Sequence, residues 1–245
     1  MIRLSVNVNK VATLRNSRGG SIPGVIDAVR VCVAAGAPGI TVHPRADRRH
    51  ITPEDVREIA AELAPLRDRV EFNIEGDPRP ELRTLVAEVR PHQCTLVPVK
   101  PGEITSQAGW SAETSASEMR RIVGHLQAAG VRVSLFVDPD VQAVEWAARM
   151  KAERVELYTE PYARAFERGG RELELSFENY KKAATLAHKL GLGVNAGHDL
   201  DLANLVLFRT LPHLDEVSIG HALISRALFV RLKTVVREYL EVLSE

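Results

Sequence analysis

Eight short runs rich in β-branched residues, at positions 3–8, 39–43, 70–74, 94–98, 131–137, 154–158, 191–196 and 216–220, alternate along the whole chain with longer stretches of 3.6-residue apolar periodicity. Few architectures accept this alternation. Parallel strands require a crossover of a dozen or more residues, and a helix packed on the sheet supplies it. Eight such units predict an α/β fold, a (β/α)8 barrel of the TIM type, occupying residues 1–245 as a single domain. No linker rich in Pro, Gly or Ser and no low-complexity segment divides the chain, which favours a closed barrel over an open, doubly wound sheet.

The intervening helices carry their own start and stop signals. Thr52 precedes Pro53, Glu54 and Asp55, which gives an N-cap, a proline in the first turn and acids near the positive end of the helix dipole. Val56, Ile59, Ala60 and Leu63 then form one apolar stripe. Ala35-Gly36, Ala129-Gly130 and Leu190-Gly191 each stand just before a strand, where glycine can take the left-handed C-cap conformation. Two segments exceed a minimal barrel, 102–113 after the fourth strand and 160–175 after the sixth. Both are expected on the catalytic face as lids or extra helices.

Charge narrows the class of partner. The 32 Lys and Arg balance 32 Asp and Glu, so the chain lacks the basic footprint of a nucleic-acid-binding protein. Cys32 and Cys94 lie in apolar stretches without metal-type spacing and read as buried thiols of a reducing compartment. The N-terminus alternates like a strand and is not a signal peptide, and no apolar run is long enough to span a membrane. A cytoplasmic protein with no membrane partner is expected.

In a barrel of this kind the reacting groups collect where the strands end and the βα loops begin. Asn7 ends the first run, His43 the second, Glu71 lies within the third, Glu156 within the sixth, and His198 and His221 follow the seventh and eighth. After His43 come Arg45, Arg48, Arg49 and His50, of which Arg45 is the better anion ligand because it is nearest the strand, while Arg48 and Arg49 read as solvated charge. Glu71 shares a strand face with Asn73, and Glu156 with Tyr158. Burial inside the barrel would raise both carboxyl pKa values into a useful acid–base range, the alternative being structural ion pairs. The last two strands both end in glycine and histidine, Gly197-His198 and Gly220-His221, a pattern suited to a phosphate. Asn9 and Lys10 follow the first strand, and Arg15 and Arg18 come after, with Arg18 favoured as a phosphate ligand because it adjoins Gly19-Gly20.

Taken in order, VNVNKVATLRNSRGG, GITVHPRADRRHIT, VEFNIE, PHQCTLVP, VSLFVD, VNAGH and IGHALI resemble the pyridoxine 5′-phosphate synthase family from about Leu4 to the last helix. The resemblance implies a barrel with extra helices assembled into homo-oligomers, an octamer by family pattern. It also implies phosphorylated small-molecule substrates, no cofactor and no metal. The implied reaction joins 3-amino-1-hydroxyacetone 1-phosphate to 1-deoxy-D-xylulose 5-phosphate and releases pyridoxine 5′-phosphate, phosphate and water. Carried across by motif, His43 and Glu71 would accept protons, His198 would donate one, and Glu156 would stabilise a transition state. Asn7, Arg18, Gly220 and His221 would hold the aminoketone phosphate, and Arg45, His50 and Thr105 the sugar phosphate. Asn9, Lys10 and Asp199 also occupy substrate-contact positions, but with other residue types: Asn9-Lys10 stands for Asp-His, and Asp199 for a glycine that donates its backbone N–H. Val99 and Glu160 replace a glutamate and a glycine.

Two other classes compete, another barrel enzyme for phosphosugars and a non-catalytic phosphate-binding scaffold. A Schiff-base aldolase would place a lysine on a strand, whereas Lys10 and Lys100 lie just past strands one and four, and a metal-dependent epimerase would recruit His43, Glu71 and His198 as ligands. A phosphate-binding scaffold without turnover would not require the acid–base residues to be intact.

Overall fold

Eight parallel strands close on themselves in chain order in the computed structural model, which describes residues 1–99 and 107–244. They are β1 Arg3–Asn7, β2 Gly39–Val42, β3 Glu71–Gly76, β4 Gln93–Leu96, β5 Arg132–Val137, β6 Arg154–Tyr158, β7 Gly193–Gly197 and β8 Leu214–Ile219. Closure is made by β1 pairing with β8, with Ser5 opposite Ser218. All eight expected strands are present. Ends differ by at most two residues, and at β3 the difference matters, because that strand runs two residues beyond Ile74 to include Glu75 and Gly76.

Crossover helices α2 (Val25–Ala35), α3 (Pro53–Leu63), α4 (Pro80–Val89), α5 (Ala116–Ala128), α6 (Val141–Arg149), α8 (Gly170–Lys189), α9 (Leu202–Phe208) and α11 (Leu232–Ser244) connect the strands and close the ring. Three more helices stand on the βα side: α1 (Asn9–Asn16), α7 (Glu160–Arg168) and α10 (His221–Ala227). The extra helix after the sixth strand was expected, whereas those after the first and eighth were not. The Thr52 hydroxyl accepts from Asp55 N, and Asp55 answers by accepting from Thr52 N, closing a capping box. Gly36, Gly130 and Gly191 all have positive φ, as their place at helix ends requires.

Strand alternation sorts the side chains into two environments. Leu4, Val6, Ile40, Val42, Phe72, Ile74, Val133, Leu135, Val155, Leu157, Val217 and Ile219 join the main apolar core, which also includes the inner stripes of the helices. The opposite face of each strand fills the barrel, and here it is polar. Ser5, Thr41, Asn73, Thr95, Ser134, Glu156, Asn195 and Ser218 are all buried. Burying such groups is costly unless they are paired, and Ser5 to Thr41 (2.6 Å) and Thr95 to Asn73 (3.1 Å) show the pairing. Cys32 and Cys94 are buried free thiols, as expected.

Below this polar layer, at the N-terminal end of the strands, a charged network closes the barrel floor. Glu71 receives Arg3 on one carboxylate oxygen (2.8 Å) and Arg132 on the other (2.6 Å), and Arg154 donates to Asn195 (2.7 Å) and to Asp215 (3.1 Å). Of the segment 102–113, residues 102–106 and with them Thr105 lie outside the described residues. The returning part is tied to β5 and β4: Trp110 N donates to Phe136 O (2.8 Å) and its indole to Leu96 O (2.8 Å). Gly109 sits so close that an added Cβ would be 2.4 Å from the backbone at Val137 and Asp138. Among the described residues no helix is long and apolar enough to cross a membrane.

Candidate active site

Above the polar layer, the C-terminal ends of the strands bring His43, Glu75, Asn7 and His198 to one mouth, with Glu156 beneath them. His43 follows β2, and its backbone N–H donates to the Asn9 side chain (2.9 Å), which ties it to the start of α1. Its imidazole Nδ1 is 3.9 Å from a Glu75 carboxylate oxygen, while Nε2 is buried and has no hydrogen-bond partner among the described residues. Glu75 accepts from Asn7 Nδ2 and from the Ser218 hydroxyl, each at 3.4 Å. Burial pushes the Glu75 carboxyl up to about 7, with the Glu216 charge adding to the effect and the Ser218 hydrogen bond opposing it. Burial likewise pushes His43 down to about 3, reinforced by the nearby charges of His50, Arg45 and Arg79. His43 is therefore neutral at ordinary pH, with an open nitrogen able to take a proton.

Glu156, buried within β6, has its carboxyl raised well above the usual range by burial first and then by the Glu75 and Glu216 charges. Its place depends on Gly197 in the neighbouring strand, where a Cβ would stand 2.4 Å from Glu156 Oε1. Val97, Phe136 and Tyr158 form a small apolar cluster separate from the main core. The Tyr158 ring meets His198 edge-on at 5.2 Å, and Phe136 at 5.4 Å. His198 Nδ1 lies 2.8 Å from Asp199 Oδ2.

The expected site residues divide into those the structure gathers and those it does not. Glu71 is a correction. The third run was expected to end at residue 74, but Glu71 opens β3, at the end of the barrel opposite His43. Burial favours its neutral form, yet the Arg132 hydrogen bond and the charges of Arg132, Arg3 and Arg154 outweigh that and hold its pKa low. It is a structural ion-pair residue, and Glu75, two pleats further along the same face, occupies the position expected of it. The same displacement removes Glu71 from any metal site shared with His43 and His198. Among the described residues no three His, Cys, Asp or Glu side chains gather in an arrangement that would hold a metal.

Arg45 is buried beside His43, and His50 is half-buried next to it, their rings 6.2 Å apart in the case of the two histidines. Burial pushes His50 down to about 4, and the charges of Arg45 and Lys10 push the same way, so these cations crowd one corner of the mouth. Such crowding suits an anion. Arg18 lies in the exposed turn after α1, and His221 opens α10 on the surface of the mouth. Gly220 backs on to Asn7, where a Cβ would come within 3.0 Å of Asn7 Cβ. Arg15 serves the scaffold: both guanidinium ends reach Asp55 (2.5 and 2.9 Å). Asn16 supports the adjacent loop by donating to His50 O (2.8 Å). Glu75 was legible in principle, since it shares the inward parity of Glu71 and Asn73. Glu216 was legible in the same way, since it shares the inward parity of Ser218 in β8.

Fold and mouth together define a (β/α)8-barrel protein with several acid–base groups and a cationic corner at the C-terminal ends of its strands. The chain belongs to the family described as pyridoxal phosphate biosynthesis protein PdxJ, whose sequence model matches residues 4–245. It is 50% identical over 240 residues to a pyridoxine 5′-phosphate synthase of Bacteroides fragilis, and 52% identical over 240 residues to one of Phocaeicola vulgatus, with 98% of both chains covered in each case. The fold is also similar to phosphoribosyl anthranilate isomerase of Thermotoga maritima, with a TM-score of 0.62 at 14% identity over 100% of this chain and 99% of that one. At that identity the likeness concerns the fold alone.

Proposed function

We propose that this protein is a pyridoxine 5′-phosphate synthase, which condenses 3-amino-1-hydroxyacetone 1-phosphate with 1-deoxy-D-xylulose 5-phosphate and releases pyridoxine 5′-phosphate, phosphate and water. The observation that carries the reading is the convergence of His43, Glu75, Glu156 and His198 on one barrel mouth, in a chain matched by the PdxJ family along almost its whole length.

The reaction needs an amine to condense with a ketone, protons to leave carbon, water and phosphate to depart, and a ring to close. Neutral His43, with its open Nε2, serves as a proton acceptor. Glu75 is poised near neutrality and takes the second acceptor role first expected of Glu71. Glu156 stays protonated beneath the ring-forming atoms and donates a hydrogen bond to negative charge that develops there. His198 donates a proton to a departing oxygen. Arg45, His50 and Lys10 hold the sugar phosphate, and Asn7, Arg18, Gly220 and His221 hold the aminoketone phosphate. Thr105 and Asp199 complete the expected substrate contacts. The protein is proposed to work in the cytoplasm as a homo-oligomer.

The test is to incubate the purified protein with both substrates and assay for pyridoxine 5′-phosphate and inorganic phosphate. Formation of both in equal amounts is expected. Folded protein that yields neither would rule the activity out.

A further inference from the structure

The turn after β7 holds two consecutive non-glycine residues in the left-handed region, His198 at φ 87° and Asp199 at φ 57°. That conformation is uncommon outside glycine and persists only where the surroundings fix it. Here they fix it from two sides. The Thr159 hydroxyl, at the end of β6, donates to Gly197 O (2.7 Å) and to His198 O. From the other side, Asn204 Nδ2 donates to Asp199 O (3.0 Å), and Asn204 is itself locked in the capping box with Asp201 at the start of α9. The consequence of this turn is that the Asp199 carboxylate folds back on the residue before it and meets His198 Nδ1 at 2.8 Å. Tyr158 closes on the same imidazole edge-on, at 5.2 Å and 74°.

We infer that Asp199 is a positioning residue for the proton-donating imidazole: by accepting from His198 Nδ1–H it fixes the orientation and tautomer of the ring, with Nε2 turned to the mouth. The inference rests on the functional reading above and deepens it. A carboxylate that accepts from one ring nitrogen selects which nitrogen faces the substrate. When Nε2–H is given to substrate, the ring becomes neutral and still donates Nδ1–H to Asp199, which remains ionised throughout. Its carboxyl is held low by the His198 hydrogen bond first, with the His198, His221 and Arg164 charges acting in the same direction against burial. Among the described residues, the other charged or titratable groups around the pair are Tyr158 on β6, Glu160 and Arg164 on α7, Asp138 after β5 and His221 on α10. Glu160 is engaged by Arg164, whereas the Asp199 carboxylate reaches the ring.

The test compares the unaltered enzyme with Asp199→Asn and Asp199→Gly, reading the tautomer of the neutral His198 ring by nitrogen NMR, which needs no turnover, and kcat with both substrates saturating. Asn and Gly both tolerate the left-handed backbone, so the turn survives the change. Asn keeps an acceptor for Nδ1–H and Gly removes it, so the Nδ1–H tautomer is expected to persist in the first and to give way to a mixture in the second. The kcat of the Gly variant is expected to fall roughly tenfold below that of the Asn variant. The same tautomer in all three proteins overturns the inference, as does an equal fall in kcat in both variants. A protein that makes no pyridoxine 5′-phosphate yet shows the tautomer change fails the functional reading and keeps the pair. One that makes the product without the tautomer change does the reverse.

Discussion

Glu71 and Glu75 face the interior of the barrel from opposite ends of one strand, about 13 Å apart along β3, and their surroundings push their carboxyls in opposite directions. At the floor, Arg132 and Arg3 hold Glu71 ionised. At the mouth, burial beside His43 keeps Glu75 protonated up to about pH 7. Substituting each by glutamine therefore separates scaffold from chemistry. Glu75→Gln is expected to lower kcat by roughly a hundredfold or more with little change in melting temperature. Glu71→Gln is expected to cost about 1–3 kcal/mol of stability and to leave most of kcat. Steady-state kinetics and denaturant unfolding of the two variants check this.

Glu216 offers a test of the buried charge that needs no substrate. Its carboxyl is pushed up to about 7 by burial, with the Glu71 charge adding to the effect. A carboxyl raised in the folded state contributes stability that is complete below its unfolded pKa of about 4.3 and is lost as pH rises through about 7. Over that window the folded protein should lose up to about 1.4 kcal/mol per pH unit from this group. Glu216→Gln removes the titration, so the fall in stability between pH 5 and about 7 should become shallower. Urea midpoints at the two pH values read the difference.

Gly197 is tied to Glu156 by space alone. A methyl group there would stand 2.4 Å from Glu156 Oε1 with the Ser218 carbonyl 3.4 Å away on another side. Gly197→Ala is expected to displace the carboxyl and reduce kcat at least tenfold, roughly 1.4 kcal/mol or more in barrier. The KM values should change less. Equal kcat in the variant would show that Glu156 does not act from this position.

Arg45→Ala should raise KM for the sugar phosphate more than for the aminoketone phosphate, because Arg45 lies with His50 and Lys10 at one corner of the mouth. Arg15→Ala should produce a milder rise in the same KM through a different route. Arg15 grips Asp55, and its neighbour Asn16 holds His50 O, so the loop carrying His50 loses its brace. A competitive binding assay with each substrate alone distinguishes the two effects from a change in turnover.

The barrel was legible because its signals are local. β-Branched runs, Thr52 with its capping box, and glycines such as Gly36 and Gly191 act over a few residues, and the eight strands follow from them. Much of the mouth was legible for the same reason: His43, Asn7 and His198 stand at strand ends that the pattern already marks. The helices α1 and α10 were less so, since α1 has no side-chain N-cap and α10 spans only seven residues.

The sequence by itself determined the barrel, the inward parity of Glu71, Asn73 and Glu75, and the strand ends at which chemistry collects, because alternation and helical periodicity are properties of neighbouring residues. Tertiary structure alone decided which of those carboxylates is an ion-pair strut and which is buried at the mouth with its carboxyl pushed up. Parity is the same at both ends of a strand; what differs is what the other seven strands place alongside. Arg3 and Arg132 come from β1 and β5 to the floor, while His43 and Ser218 come from β2 and β8 to the mouth. Those neighbours, distant in sequence, set the local field and the access to solvent, and so set the charge that each carboxylate carries.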